Sequence, residues 1–516
     1  MSRRLFIQQL AAASTLGAGL LPKLSACAML TPGQSADDAA KPAGTSGDFF
    51  YRPPGARVGD VIPFYGVGRF RVFYLHRADE ALRGTSWYQA STTDFVHFTD
   101  HGEMLPRGTP NDQDLSVATG SVIEREGRYH IFYTGYNSPF RKQGKPEQGV
   151  MHAVSDDLLT WKKIHEDTFF APQDRFGRDD WRDPFVFWNK DAREYWMLVA
   201  ARLKTGPSRR RGCTALCVSK DLTKWEVRDP FWAPGLYFTH ECPDLFRIGD
   251  WWYFVFSEFS ERMQTRYRMS RNVNGPWHAA DNDTFDVRAL YAAKTCTDGK
   301  NRFVLGWNPL RTDAKDSGRW QWGGNLVVHE VVQQPDGSLS VRIPKSIDQA
   351  FSTPLPQQFQ TVTGKCDVSN KGVMIAVPQS FGAAAAGPMP DRCKIEATLE
   401  FSEGTRGCGL MLHLGDDSDS CYYVRLEPTR SRLVLDKWPR PGDAQFMVEF
   451  ERPLALKPGK PIDIKIVADG TISEIYVAGK IAMSTRMYDL KQGRWGVFVN
   501  EGTAQFRNLG VFSMSG

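Results

Sequence analysis

A short aromatic and β-branched run recurs five times in the first 350 residues, and this repetition constrains the fold more than any other feature. The copies are Phe70-Arg71-Val72-Phe73-Tyr74, Tyr129-His130-Ile131-Phe132-Tyr133, Tyr195-Trp196-Met197-Leu198-Val199, Trp252-Tyr253-Phe254-Val255-Phe256 and Arg302-Phe303-Val304-Leu305-Gly306. Nearly continuous apolar runs of this length are expected of strands buried on both faces. A second element follows the first: Ser-x-Asp-apolar-x-x-aromatic. It reads Ser155 to Trp161 and Ser219 to Trp225, with a copy displaced by one residue from Ser91 through Asp94 to Phe98 and a degenerate copy from Ser270 to Trp277. Its aspartates fall at 94, 157 and 221, which are 63 and 64 residues apart. Ser, Asp and Asn-Gly-Pro at these places suit tight hairpins. The two patterns together predict an all-β chain whose residues 51–350 form a five-bladed β-propeller of four-stranded blades.

The repeat ends at Pro354-Leu355-Pro356. Beyond it, alternating strands are expected at Cys393–Phe401, Gly409–Leu414, Tyr422–Leu426, Ile462–Val467, Ser473–Val477 and Gly496–Val499, separated by Gly, Asp and Pro. This predicts a β-sandwich over 351–516. The formal charge of +5 is small, and the densest basic patch, Arg209 to Arg211, reads as a solvated loop, so no nucleic-acid partner is expected. The nine cysteines contain no C-x-x-C pair, and Cys213 and Cys217 have no His or second Cys pair beside them. Zinc is therefore not expected, nor any other metal or cofactor. Disulfides remain open for an exported chain.

The chain starts Met1-Ser2-Arg3-Arg4-Leu5-Phe6, followed by an apolar stretch from Leu10 to Leu21. Paired arginines ahead of a short apolar segment resemble a twin-arginine export signal. Leu24-Ser25-Ala26-Cys27 resembles a lipobox, in which Cys27 becomes the lipidated first residue. Residues 1–27 are thus read as the export signal, and 28–50, rich in Ala, Gly, Ser, Pro and Asp, as a flexible tether. An exported bacterial protein, periplasmic or held to a membrane only by its lipid, is the expectation.

Three acids stand just ahead of three of the aromatic runs: Asp60 in Gly59-Asp60-Val61, Asp183 in Arg182-Asp183-Pro184, and Glu241 in Glu241-Cys242-Pro243. Each precedes the next run by 10 to 12 residues; Thr119-Gly120-Ser121 holds a similar phase in the second unit. Blades superimpose by rotation about the central axis, so residues of one phase share a ring on the innermost strands. Asp60, Asp183 and Glu241 should therefore converge at one mouth of the channel. Converging carboxylates raise the pKa of at least one member, which lets one stay protonated while another is ionised. Glycoside cleavage needs such a pair, as acid/base and as nucleophile. Cys242 sits beside the acid but has no established His base, so thiol catalysis is not expected. Trp87, Trp320 and Trp322 are candidates for stacking on sugar rings.

The order of an Asp motif, R-D-P and E-C-P on a propeller followed by a sandwich resembles glycoside hydrolase family 32, the invertases, inulinases, levanases and fructan fructosyltransferases. Arg182-Asp183-Pro184 and Glu241-Cys242-Pro243 are intact, and Leu290 to Thr295 resembles the family's F-Y-A-x-Q-T. Trp320 to Glu330 resembles its closing strand; Ser473 to Val477 and Ser484 to Arg486 resemble its C-terminal pattern. The resemblance implies Asp60 as nucleophile, Glu241 as acid/base and Asp183 as transition-state stabiliser, in a retaining double displacement on β-fructofuranosyl linkages of fructans or sucrose. It also implies substrate contacts from Ser121, Arg182 and Tyr291. The family's W-M-N-D-P-N-G departs here to Arg57-Val58-Gly59-Asp60-Val61-Ile62-Pro63, which leaves the nucleophile in place and alters the pocket around it. Fructosyl transfer in place of hydrolysis, an inverting propeller glycosidase, and a catalytically silent sugar-binding lipoprotein remain the alternatives.

Overall fold

The computed structural model describes residues 49–78, 84–439 and 448–515; the export signal, Cys27 and the tether up to residue 48 lie outside them. Five antiparallel blades follow in chain order. Blade one is Ala56–Gly66, Arg69–Ala78, Ser86–Thr92 and Thr99–Leu105. Blade two is Ser116–Arg125, Arg128–Tyr136, Gln148–Ser155 and Lys162–Phe169. Blade three is Phe176–Asn189, Glu194–Leu203, Gly212–Ser219 and Glu226–Val227. Blade four is Glu241–Ile248, Trp251–Glu258 and Gln264–Ser270; its fourth strand is reduced to bridges at Met269–His278 and Arg266–Thr284. Blade five is Tyr291–Thr297, Arg302–Arg311, Trp320–Gln333 and Leu339–Arg342.

Every aromatic run is the second strand of its blade, pressed between the neighbouring blades. Val72, Phe73 and Tyr74 are all buried, as are Tyr253, Phe254, Val255 and Phe256. The recurring turn joins the third and fourth strands. Asp157 Oδ1 accepts the N–H groups of Leu159 at 2.8 Å and Thr160 at 2.7 Å, while Ser155 Oγ accepts that of Leu158 at 2.9 Å. Asp221 and Ser219 repeat this with Thr223, Lys224 and Leu222. In the first copy Thr92, one residue after Ser91, takes the hydroxyl's part and accepts from Phe95 N–H at 2.8 Å. The first copy is thus in register, and its displacement reflects only a Thr-for-Ser exchange. The apolar residue after each Asp is buried with a left-handed backbone: Phe95 at φ 61°, Leu158 at 65° and Leu222 at 67°.

The ring closes through a Val58–Gly324 pairing between blades one and five. Residues 49–51 reinforce it: Leu326 N–H donates to Tyr51 O at 2.9 Å and Asn325 Nδ2 to Phe50 O at 2.9 Å. Phe49 and Phe50 are buried, so the last two residues of the span read as tether belong to the packed propeller. Apolar contact explains this, since a pair of Phe rings gains from leaving water.

After a short helix, Lys345–Ala350, the chain builds the sandwich. Arg494–Ser513 spans both halves of it: residues 494–500 pair with Gly407–Leu414 and 504–512 with Arg392–Phe401. The expected strands are present; Gly372–Pro388, Arg432–Trp438, Val448–Pro453 and Ile481–Arg486 are additional. The sandwich is fixed to the propeller by buried polar groups. Arg486 donates to the carbonyls of Asn308 at 3.0 Å and Pro309 at 2.8 Å, and Arg452 to that of Phe285 at 2.6 Å. At the same boundary, His329 Nε2 meets Asp286 Oδ2 at 2.8 Å and lies 3.7 Å from Glu474 Oε2. Cys213, Cys217, Cys242, Cys296, Cys366, Cys393, Cys408 and Cys421 are all free thiols.

Candidate active site

Each innermost strand carries a bulge at the same height. In blade one Gly59 and Asp60 together oppose a single residue, between the pairs Val58–His76 and Val61–Tyr74. Asp183 and Pro184 do so in blade three, Cys242 and Pro243 in blade four, Ala292 and Ala293 in blade five. In blade two the extra residue is Thr119. Bulges free a residue from the ladder and re-aim its side chain. Asp183, Cys242 and Ala292 take left-handed backbones there, with φ of 58°, 51° and 49°. Such conformations cost roughly 1–2 kcal/mol each for residues with a Cβ. The flanking prolines in blades three and four suit positions whose N–H has left the ladder.

The acids occupy three successive positions of this bulge: Glu241 is its leading pair, Asp183 its first looped residue and Asp60 its second. The staggering aims three side chains from three blades at one region, and their partners tie all five blades together. Asp60 Oδ2 accepts from Thr119 Oγ1 of blade two at 2.8 Å, and Oδ1 from Trp307 Nε1 of blade five at 3.0 Å. Asp183 Oδ2 accepts from the Cys242 N–H of blade four at 3.0 Å, while the Asp183 N–H donates to Thr134 Oγ1 of blade two at 2.7 Å. Glu241 Oε1 accepts from Arg182 Nη2 of blade three at 2.9 Å, and Oε2 from Tyr291 Oη of blade five at 2.7 Å.

The electrostatics follow from this crowding. Burial, then the charge of Asp183, pushes Asp60 up to about 7 in spite of its two donors. Burial also raises Asp183, against the opposing pull of Arg182, and the charge of Glu241 adds to the rise. Arg182 is buried, which works against its charge, but Asp180, Glu241 and Asp183 outweigh that and hold it firmly protonated. Its Nη1 donates to Asp180 Oδ1 at 2.5 Å. Tyr291 is raised by burial and by Glu241, so its hydroxyl remains a donor. The Cys242 thiol is pushed well above its usual range by burial and by Asp183 and Asp60, and stays neutral. His240 bonds Thr214 Oγ1 at 3.1 Å, and burial lowers it to about 3. A thiolate–imidazole pair is therefore not built here.

The other expected contacts divide. Arg182 and Tyr291 touch Glu241 directly. Ser121 lies on the inner strand of blade two, where its Oγ accepts from the Val186 N–H of blade three at 2.9 Å. Trp87, expected at the substrate, is 0% exposed: it packs on Phe73 and Tyr133 and donates to Ala118 O at 2.9 Å, so it offers no ring face to a sugar. Trp320 is likewise displaced, stacked on Phe450 of the sandwich with the Arg311 guanidinium 3.8 Å from its ring. Trp322 does flank the site. It packs against Trp307 at 6.1 Å, and its ring occupies the place where a Cβ on Gly59 would stand, 2.1 Å away. Thr119 stood in the Thr119-Gly120-Ser121 stretch that shares the acids' phase, whereas no role was read for Asp180, Lys294 or Trp307 from the sequence, and Trp307 sits in an apolar run with no distinguishing signal.

Among the described residues, Asp286, His329 and Glu474 are the one group of three that offers converging metal-ligand atoms. They are sealed between the domains. Asp286 is occupied by the N–H of Ser484 at 2.9 Å and of Val287 at 2.6 Å and by His329, while Ser484 Oγ donates to Glu474 Oε2 at 2.8 Å.

Two family models match the chain: Glycosyl hydrolases family 32 N-terminal domain over residues 62–338 and Glycosyl hydrolases family 32 C terminal over 361–513. The first match starts just after Asp60, at the departed motif, so the part played by Asp60 rests on its geometry. The chain is 23% identical over 493 residues to a levanbiose-producing levanase of Bacillus subtilis, covering 87% of each protein. It is 24% identical over 456 residues to a sucrose-6-phosphate hydrolase of Escherichia coli, covering 83% of this chain and 85% of that one. Fructan 1-exohydrolase IIa from Cichorium intybus has a similar structure, with a TM-score of 0.68 at 16% identity over 91% of this chain and 97% of that one. Exo-inulinase from Aspergillus awamori gives 0.68 at 15% over 91% and 98%.

Proposed function

The chain belongs to glycosyl hydrolases family 32 and is a glycosidase, and from that premise we propose that it cleaves β-fructofuranosyl linkages of fructans or sucrose with retention. The observation that carries the reading is the staggered bulge, which aims Asp60, Asp183 and Glu241 at one region from three blades. Asp60, whose charged form the Thr119 and Trp307 donors favour against burial, attacks the anomeric carbon as a carboxylate once the pH exceeds about 7. Glu241 delivers its proton to the departing glycosidic oxygen, and the bond to the leaving sugar breaks as the fructosyl ester forms. In the second step Glu241 takes a proton from water, whose oxygen displaces Asp60 and restores both groups. Exposure fits these roles: the Glu241 side chain is 21% exposed, enough to exchange protons and admit water, whereas Asp183 is 6% exposed. Asp183 holds sugar hydroxyls and stabilises the oxocarbenium-like transition state. Arg182 and Tyr291 orient Glu241, while the Ser121 hydroxyl, on the inner strand of blade two, accepts from the Val186 N–H.

The relatives named for levan and for sucrose 6-phosphate support a fructosyl substrate. The test is incubation with levan, inulin and sucrose, with products separated by chromatography and the first-formed anomer read by NMR. Retained fructose or fructo-oligosaccharide is expected; inverted product, or no cleavage of any fructan, overturns the reading, and difructose or fructosylated acceptors would place it among the transferases. Glu241→Gln should slow cleavage by about 10² to 10⁴-fold, and less for an aryl fructoside whose leaving group needs little protonation. The proposal extends to location: Arg3-Arg4 and Leu24 to Cys27 support export and a lipid anchor on Cys27. Metabolic labelling with a radiolabelled fatty acid, lost in Cys27→Ala, tests it.

A further inference from the structure

Lys294 stands inside the propeller behind the acids and has no place in the scheme above. It is 2% exposed, on the inner strand of blade five, where the family's F-Y-A-x-Q-T carries Gln. Its Nζ donates to Gly120 O of blade two at 2.7 Å, its one hydrogen bond among the described residues, and lies 5.6 Å from the Phe185 ring of blade three. No carboxylate lies within ion-pair distance of it among the described residues. A buried ammonium is costly unless negative charge surrounds it. The charged and titratable groups that face it are Asp60 of blade one, Asp183 of blade three, and Cys242 and Asp244 of blade four. Cys242 stays neutral and Asp244 is committed to the N–H and hydroxyl of Thr295, at 2.7 and 2.6 Å.

Gly120 makes the contact informative. It adjoins the bulged Thr119 that donates to Asp60, and a Cβ at 120 would come 1.9 Å from the Phe132 carbonyl oxygen. Gly120 is therefore hemmed in by the Phe132 carbonyl of blade two, and the Gly120–Ser121 peptide, one step on from the bulged Thr119, is held by Lys294. The Arg182 charge is shared among Asp180, Glu241 and, at 3.8 Å, Asp183, and Lys294 is the second cation serving the cluster. Burial draws Lys294 towards its neutral form, and the field of the acids opposes this. The same field acts in reverse on Asp183, which Lys294 lowers.

We propose that Lys294 is a positioning residue for the catalytic carboxylates: it holds the Gly120 carbonyl next to the Thr119 bulge that donates to Asp60, and its positive charge favours the ionised forms of Asp183 and Asp60 against their burial. A Gln in its place would keep a donor for Gly120 O and remove the charge; a Met would remove both. The inference rests on the glycosidase reading for its kinetic test, and a second measurement frees it from that dependence.

The experiment compares the whole protein with Lys294→Gln and Lys294→Met. The acidic limb of kcat/KM on levan should move up by about one pH unit in both variants, the usual size of losing a nearby opposite charge. The Met variant should in addition lose kcat. In parallel, aspartate carboxyl ¹³C shifts, assigned with Asp60→Asn and Asp183→Asn, should show those two groups titrating at higher pH in Lys294→Gln. An acidic limb and carboxyl titrations unmoved in Lys294→Gln overturn the proposal, whatever happens to kcat. Should Lys294→Met fail to fold, Lys294→Gln decides alone. Should the wild type cleave no fructan, the glycosidase reading fails while the carboxyl titrations still decide the part played by Lys294.

Discussion

Two buried constellations in this molecule use nearly the same residue types to opposite ends. At the propeller mouth stand Asp60, Asp183 and Glu241; between the domains stand Asp286, Glu474 and His329. Both perturb their acids. Burial and the charge of Asp183 push Asp60 up to about 7, and burial lifts Glu474 likewise to about 7, with Asp286 adding to it and His329 opposing. Only the interdomain group also holds an acid below its ordinary range: Asp286, though buried, is held low by the hydrogen bond and charge of His329 and the charge of Arg452. A perturbed carboxyl is therefore no mark of catalysis on its own. What separates the two is access and residual repulsion. His329 is 0% and Glu474 2% exposed, whereas Glu241 is 21% exposed and shares its surroundings with two further acids. The interdomain group is closed and holds two folds together; the channel group is open and left under strain.

That contrast is sharpest if the two are cut in turn. Asp60→Asn should lower kcat on levan by roughly 10⁴-fold or more, as removal of a nucleophile does, with folding unharmed; a variant retaining a tenth of wild-type turnover would deny Asp60 its role. Asp286→Ala should do the reverse. Leaving His329 and the Ser484 N–H without their shared partner should cost about 3–5 kcal/mol in urea unfolding, while kcat per folded molecule stays within about twofold, the spread normal for distant substitutions. Equal damage to activity would mean that the domain boundary feeds the site.

The smallest effect is a pH dependence with a definite sign. Asp60 binds its proton more tightly in the fold than in the unfolded chain, about 7 against 3.8. It therefore favours folding when protonated, and wild-type stability is progressively lost as the pH rises from about 4 to about 7. Asn at 60 removes this loss. Asp60→Asn should be more stable than wild type at pH 8, by on the order of 2 kcal/mol at about 1.4 per pKa unit and allowing for relaxation. The gap should close as the pH approaches 4. Parallel stability curves for the two proteins would show that Asp60 carries no such burden.

The architecture was legible because a propeller writes its period into the chain. Aromatic second strands and the Asp94, Asp157 and Asp221 turns recur with the blade, since each repeats one local solution. The acids were legible as a set for the same reason. Their staggering was not: a bulge shifts register by one residue, and spacings of 10, 11 and 12 cannot tell a bulge from a longer turn. Nor could the tryptophans be sorted. In strands buried on both faces, alternation carries no sign of which face is which, so Trp87 in the core and Trp322 beside Gly59 looked alike. Lys294 was overlooked because a lysine in a strand ordinarily points to water.

The five bulges have a consequence for how such a protein can change over evolutionary time. A looped residue owes no hydrogen bond to the neighbouring strand, so it can be exchanged without unzipping the sheet. The stretch from Arg57 to Pro63 has lost most of its family lettering, yet Val58 still pairs with His76 and Val61 with Tyr74 on either side of Asp60. The bulge positions that hold no acid and bond no acid can vary with the substrate, while the ring of blades that presents Asp60, Asp183 and Glu241 is inherited intact. New substrate preferences would be expected to arise there first, one blade at a time.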